Sequence, residues 1–178
     1  MKRDILIIDT DSDFISELHN SLESKVNLIS TQSIEEAFAF CNANKNKNSS
    51  QSNINPSVIV VGNGCKISKE LKDKIKEDYP EFYDEEALQT FEPLFYCNLF
   101  RNAFQTSLPQ KPKACICANL EQYPFKGRDQ DITKKLGYCM QHNIALMNRM
   151  EKNKKLILNV LKNYIFQSCN IKESDFNR

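Results

Sequence analysis

The sequence lacks several features that would assign it to a common class of protein. Its 178 residues carry 24 Lys and Arg against 23 Asp and Glu, a formal net charge of +1. Without an excess of positive charge there is no global attraction to nucleic acid or acidic lipid, so we expect neither as a partner. No stretch reaches the ~20 apolar residues that a membrane-spanning helix needs, and we predict no membrane segment.

The amino terminus also lacks the apolar core of a signal peptide, because the chain enters a strand-like segment almost at once. We therefore expect the protein to stay in the cytoplasm. At this length one core is expected, so we predict a single domain over residues 1–178.

Cysteine is present without the spacing of a disulfide framework. The seven cysteines are odd in number and irregularly spaced, and no Cys-x-x-Cys pair occurs. Cys115 and Cys117 would share one face of a strand, which leaves a metal site as an alternative. Its other ligands would come from Cys65, Cys139 and His142. We favour buried, reduced thiols, and we predict no metal and no cofactor.

What the sequence does contain is an apolar run near its start that ends in polar and acidic residues. Ile5-Leu6-Ile7-Ile8 is followed by Asp9, Thr10 and Asp11. This pattern indicates a buried strand that delivers carboxylates to the edge of a parallel sheet. A second run, Pro56-Ser57-Val58-Ile59-Val60-Val61-Gly62, is rich in β-branched residues and indicates a strand covered on both faces.

These two segments resemble the first and third strands of the response-regulator receiver family. In that family paired acids hold Mg²⁺, and an Asp at the end of the third strand takes the phosphoryl group. On this pattern Asp9 matches the first metal-binding acid, and Thr10 stands in place of the second. Gly62 falls where the phospho-accepting Asp belongs, and glycine has no carboxylate. The resemblance therefore implies a degenerate site.

Two later positions of the family pattern are also changed. The fourth strand, Lys113–Ala118, has Cys117 where a receiver has a Ser or Thr that hydrogen-bonds the phosphoryl group. In the strand-like segment Asn143–Arg149, Asn148 stands where a receiver has a Lys. No catalytic residue is expected. The vestigial phosphorylation site that the resemblance implies consists of Asp9, Thr10, Gly62, Cys117 and Asn148.

The resemblance also implies the fold. It predicts a flavodoxin-like (CheY-like) α/β fold, with a five-stranded parallel sheet and helices on both faces. Residues 42–55 are nearly all Asn, Lys, Ser and Gln, and we predict a polar, flexible loop there. The long interval before the fourth strand predicts a helical insertion at about 79–111.

This insertion is the most aromatic part of the chain, and its aromatics admit two interpretations. We favour burial against the sheet, because large exposed apolar patches are rare on monomers. The alternative is a docking surface for a protein partner or for a second copy of this chain. The candidate interaction residues are Phe91, Phe95, Tyr96, Phe100 and Phe104.

From the resemblance we expect a signalling or adaptor domain of two-component type. It would act through protein–protein interaction, independently of phosphorylation, and not as an enzyme. A small-ligand sensor at the vestigial cleft stays open, since Gly62-Asn63-Gly64 permits close backbone approach. An unusual Mg²⁺-dependent phospho-acceptor built on Asp9 and Asp11 also stays open. For these two acids we favour helix capping over metal binding.

Overall fold

The structure is a computed structural model that describes residues 2–22, 25–45, 54–62, 64–107, 112–119, 129–148 and 154–171. Five parallel strands form one sheet in the order β2-β1-β3-β4-β5. This is the flavodoxin-like strand order, so the predicted fold class is confirmed. The strands are β1 (Arg3–Ile8), β2 (Val26–Thr31), β3 (Pro56–Val61), β4 (Ala114–Asn119) and β5 (Ile144–Asn148).

Helices lie on both faces of this sheet. They are α1 (Ser12–Leu22), α2 (Ile34–Lys45), α3 (Lys69–Asp78), α4 (Glu85–Thr90), α5 (Glu92–Ser107), α6 (Asp129–Gln141) and α7 (Lys154–Cys169), with a 3₁₀ turn at Pro80–Phe82. None of the helices in the described ranges is long and apolar enough to cross a bilayer.

The alternation of side chains along β1 builds two separate cores. Leu6 and Ile8 face the helices α2, α5 and α6, while Ile5 and Ile7 face α1 and α7. Both sets are fully buried, so β1 is apolar at consecutive positions, as expected for a strand covered on both faces. The continuous apolar runs in the sequence therefore mark the centre of the sheet.

The interval between β3 and β4 folds as two layers. α5 packs directly on β3 and β4 and also contacts α2, which makes it the crossover helix between those strands. We call α3, the 3₁₀ turn and α4 the outer layer: α4 and the 3₁₀ turn pack on α5, and α3 packs on the 3₁₀ turn. The segment predicted as an insertion at about 79–111 thus contains the crossover helix itself.

Local signals set the ends of these helices. Ser68 Oγ accepts from Leu71 N (3.3 Å) at the start of α3, and Asp84 Oδ1 accepts from Ala87 N (2.9 Å) at the start of α4. Phe91 separates α4 from α5, and Pro93 follows in the first turn of α5, where a missing N–H is tolerated.

The predicted boundaries of the polar loop need correction. α2 continues to Lys45, so residues 42–45, assigned to the loop from their polar composition, are helical. At the other end Ile54 is buried in the core and Pro56 begins β3. Residues 46–53 lie outside the described residues. Composition misplaced the boundary because Ala43 and Lys45 favour a helix, and Asn opposes only weakly the extension of one that has already begun.

The aromatic residues offered as a docking surface are in the core, so that prediction is wrong for this chain. Phe91 is the most exposed of them at 6%, and Phe95, Phe100 and Phe104 are completely buried. Ring contacts run through the cluster, with Phe95 5.8 Å from Tyr83 and 5.7 Å from Tyr96 between ring centroids. The favoured interpretation, burial against the sheet, is what the structure has.

The seven cysteines are free and buried. Cys115 Sγ donates to the carbonyl of Cys97 at 3.2 Å, across the contact between β4 and α5. Burial, the main cause, raises the pKa of the Cys97 thiol well above its usual range, and the thiols of Cys115 and Cys117 add to the effect. Within the ranges that the structure describes, no three His, Cys, Asp or Glu side chains are grouped to hold a metal.

Candidate functional site

The carboxyl edge of the sheet is where β1 and β3 end side by side. Gly62 N donates to the carbonyl of Ile8 (2.8 Å), and Asp9 N donates to the carbonyl of Thr31 (3.0 Å). These bonds extend the parallel ladders one residue past the strands. They fix Asp9 and Gly62 next to each other, as the sequence pattern predicts for neighbouring strand ends.

Asp9 is completely buried, although it carries a carboxylate. Its Oδ1 accepts from the backbone N–H of Asp11 at 2.8 Å, which satisfies part of the hydrogen-bonding need of a buried acid. Asp11 Oδ1 in turn accepts from Phe14 N at 3.0 Å and caps α1. The prediction that these strand-end acids serve backbone capping is confirmed for Asp11.

Thr10, which follows Asp9, is exposed and lies against Gly64 in the loop after β3. Gly64 has φ +78°, in the left-handed region, and a Cβ built there would lie 2.2 Å from Thr10 Oγ1. Any other residue at position 64 would therefore be strained and would collide with this hydroxyl. The close approach joins the loop after β3 to the loop after β1.

Cys65 is a neighbour of this edge that sequence reasoning placed only in a hypothetical metal site. Its Sγ donates to the carbonyl of Gln32 at 3.6 Å. Burial, followed by the charge of Asp9, raises the pKa of the Cys65 thiol to about 12. The thiol therefore stays protonated near neutral pH and is a poor nucleophile. Its place in the sequence directly after Gly62-Asn63-Gly64 is the feature that could have indicated this position.

The other two residues of the predicted vestigial site lie on the neighbouring strands. Cys117 is 1% exposed in β4 and is paired in register with Val61, the residue before Gly62. Asn148 ends β5 opposite Asn119, and its side chain lies outside what the structure describes. The fold thus brings Asp9, Thr10 and Gly62 together at the edge, while Cys117 packs in the core that α5 covers.

Among the described residues, this edge offers few reactive groups. Gly62 contributes only backbone at the end of β3, so this position offers no carboxylate. The two acids belong to the loop after β1 and accept hydrogen bonds from backbone N–H groups within three residues. Cys117 offers a buried thiol, which is a weak donor, in place of a hydroxyl.

Comparison with known proteins gives a similar fold and little sequence similarity. No protein-family model matches the chain, and no curated protein matches it. Among solved structures, the phosphorylated cyanobacterial phytochrome response regulator RcpA aligns over 93% of each chain, with a TM-score of 0.49 and 9% sequence identity. At this level of similarity the fold assignment depends on the observed strand order.

Proposed function

We propose that this chain is a degenerate receiver: a cytoplasmic signalling or adaptor domain that acts through protein–protein contact, without phosphorylation and without catalysis. The observation that carries the proposal is Gly62 at the end of β3, fixed beside Asp9 in a sheet of flavodoxin-like order. An acyl phosphate forms on a carboxylate, and glycine offers none.

The use of the other groups at this edge supports the proposal. One carboxylate oxygen of Asp9 and one of Asp11 accept backbone hydrogen bonds that shape the start of α1. These bonds already use part of the acceptor capacity of both acids, so less of it is left for a ligand. For this reason we rank the small-ligand sensor at this edge below the protein-contact function.

Because the aromatics of α5 are buried, the proposed protein contact requires a different surface. β5 is an edge strand, with α6 on one face of the sheet and α7 on the other. Both helices expose large apolar side chains at four-residue spacing, which places them in outward stripes. These are Leu136 (44% exposed) and Met140 (84%) on α6, and Leu156 (61%), Val160 (49%) and Tyr164 (37%) on α7.

The occupant that we propose for this surface is a second copy of the chain. A formal net charge of +1 creates little long-range repulsion between two copies. A two-fold dimer buries the same patch on both subunits, so apolar stripes can cover each other without a partner of opposite charge. Burial of such side chains would supply the association free energy.

Phosphorylation is tested directly by incubating the protein with acetyl phosphate, or with beryllofluoride and Mg²⁺, and measuring intact mass and amide NMR shifts. We expect no stoichiometric adduct and no change in the shifts around Gly62. An adduct that is lost in the Asp9→Asn variant would contradict the proposal and support the Mg²⁺-dependent phospho-acceptor.

Self-association is tested by light scattering after size exclusion, with the parent and the Leu136→Ser/Met140→Ser variant. We expect the variant to associate more weakly than the parent. At concentrations where both are monomeric, its melting temperature should match that of the parent, because both side chains are exposed on the single chain. A monomeric parent would exclude a second copy and would leave a different protein as the partner to be sought.

A further inference from the structure

A polar cleft of about 400 Å³ lies where the outer layer meets α5 and the turn between α6 and β5. Of its eight lining residues only Phe82 is apolar. The turn precedes β5, so the cleft is at the amino end of that strand and separate from the carboxyl edge that holds Asp9. Ligand sites are usually lined mainly by apolar side chains, so a cleft this polar suits a small polar ligand.

Arg101 lines this cleft, and its guanidinium forms hydrogen bonds through one nitrogen, Nη1. Its Nη1 donates to the carbonyls of His142 and Asn143, which ties α5 to the turn before β5. Among the described residues, no hydrogen bond uses its Nε or Nη2, and no carboxylate pairs with it. The Nε and Nη2 edge is a planar fork that binds a carboxylate through two parallel hydrogen bonds.

Glu81, on the 3₁₀ turn, supplies the opposite charge to the same cleft. Within the part of the chain that the structure describes, its carboxylate forms neither an ion pair nor a hydrogen bond, and it is not paired with Arg101. Burial lowers the pKa of the His142 imidazole, so this side chain adds no charge near neutral pH. Among the described residues, the cleft therefore holds one positive and one negative group, and neither forms an ion pair.

Amide groups line the inner side of the cleft. Asn98 is 7% exposed, and its Oδ1 accepts from Asn102 Nδ2 at 2.9 Å. The nearby Tyr138 ring lies 4.2 Å from the His142 ring between centroids, and the buried Tyr138 hydroxyl has no hydrogen-bond partner of good geometry in the described residues. Tyr138 does not line the cleft and its hydroxyl is buried, so the amides and the two charged side chains are the groups that the cleft offers to a ligand.

We propose that this cleft binds a small zwitterion of the α-amino acid class, with the ligand carboxylate on Arg101 and the ligand ammonium on Glu81. A simple anion would be repelled by Glu81 and a simple cation by Arg101, whereas a zwitterion pairs with both. The amides of Asn98, Asn102 and Gln141 favour a ligand side chain that forms hydrogen bonds over an aliphatic one. The ligand would join the outer layer to α5.

Calorimetric titration of the full chain tests the ligand class, with L-glutamine, L-asparagine and L-serine as probes. We expect saturable binding with a dissociation constant between about 1 μM and 1 mM. Analogues that keep only the carboxylate or only the ammonium should bind about tenfold more weakly or worse, because each loses one charged contact. Binding of simple sugars in place of amino acids would overturn the proposal.

Variants of the two charged residues test the site. Glu81→Gln should weaken binding by about tenfold or more, while Glu77→Gln, an exposed acid on α3 outside the cleft, should bind like the parent. Arg101→Lys keeps the positive charge but loses the two parallel donors of the guanidinium, so it should also weaken binding. Its melting curve shows whether the loss of the hydrogen bonds to His142 and Asn143 has destabilised the fold. Unchanged affinity in Glu81→Gln, or no saturable heat up to about 10 mM of any probe, would overturn the proposal. The outcome does not depend on whether the carboxyl edge takes a phosphoryl group.

Discussion

α5 and the outer layer come from one stretch of chain, but different interactions hold them in place. α5 buries Phe95, Phe100 and Phe104 completely against the sheet. In α3 only Leu71 and Ile75 are buried, and charged side chains cover the rest of the helix. The connection between β3 and β4 therefore combines a core helix with an added layer that depends more on polar contacts.

Glu85 is the centre of the polar contacts in the outer layer. Its carboxylate accepts from Lys72 Nζ at 2.6 Å and from the Tyr83 hydroxyl at 2.6 Å, and so joins α3 to α4. Lys76 Nζ lies 3.5 Å from the second oxygen. The polar cleft with Arg101 lies on the border between the two layers, where a ligand can bridge them.

The largest effect should come from α5. Phe100→Ala removes a completely buried ring and leaves a cavity under the sheet. We expect the free energy of unfolding to fall by about 3–5 kcal/mol, a large part of the stability of a domain this size. Urea unfolding followed by circular dichroism measures it. Glu77→Gln, at an exposed position outside the proposed dimer surface, is the control and should change stability by less than about 0.5 kcal/mol.

A smaller effect is expected for the outer layer. Leu71 on α3 is 8% exposed and belongs to the same core as Phe100. Leu71→Ala should cost about 2 kcal/mol, at the low end for such substitutions, because the peripheral helix can close part of the cavity. Hydrogen exchange should show faster opening of 69–78 than of α5. Equal loss of protection in both helices would contradict the distinction between the layers.

Acid should loosen the outer layer before α5. Hydrogen bonds from Lys72, then from Tyr83 and Gln89, lower the pKa of Glu85 from 4.5 to about 2. A carboxyl whose folded pKa is depressed stabilises the fold above its unfolded pKa, and this contribution is lost as the pH falls from about 4.5 to about 2. Hydrogen exchange of 69–90 should therefore accelerate across this window.

The Glu85→Gln variant is the control for this pH dependence, because other carboxyl groups titrate in the same range. Glutamine at position 85 cannot ionise, so the acceleration that belongs to Glu85 should be absent. If parent and variant respond identically to acid, the contacts of Glu85 do not hold α3 to α4.

The smallest effect is expected at the ion pair between α6 and α4. Lys134 Nζ lies 3.6 Å from Glu86 Oε1, with side chains 63% and 74% exposed. Exposed pairs of this kind contribute little, so Lys134→Gln should change the free energy of unfolding by less than about 0.5 kcal/mol. A larger loss in urea unfolding would show that surface charge helps to fix the outer layer on α6.

Short-range patterns made much of the sheet predictable. The apolar runs at Ile5–Ile8 and Val58–Val61 mark central strands, because strands covered on both faces need apolar residues at every position. The strand ends then place Asp9 beside Gly62, since parallel strands end at the same edge. Capping by Asp11 follows the same local chemistry, with a donor only three residues away.

Helix boundaries and burial were less predictable. The polar residues 42–45 look like a loop in composition, yet they continue α2. The aromatics of α5 are compatible with a docking surface or with a core, because helical spacing is the same in both. Only the packing of α5 on β3 and β4 distinguishes the two.

By itself, the sequence determined the parallel α/β sheet and the absence of a carboxylate at the end of β3, because both depend on residue type and order along a strand. The tertiary structure decided which side chains are buried and which charges meet. Arg101 and Glu81 are 20 positions apart and share no motif. They line one cleft because the outer layer folds back on α5, a long-range contact that no local pattern encodes.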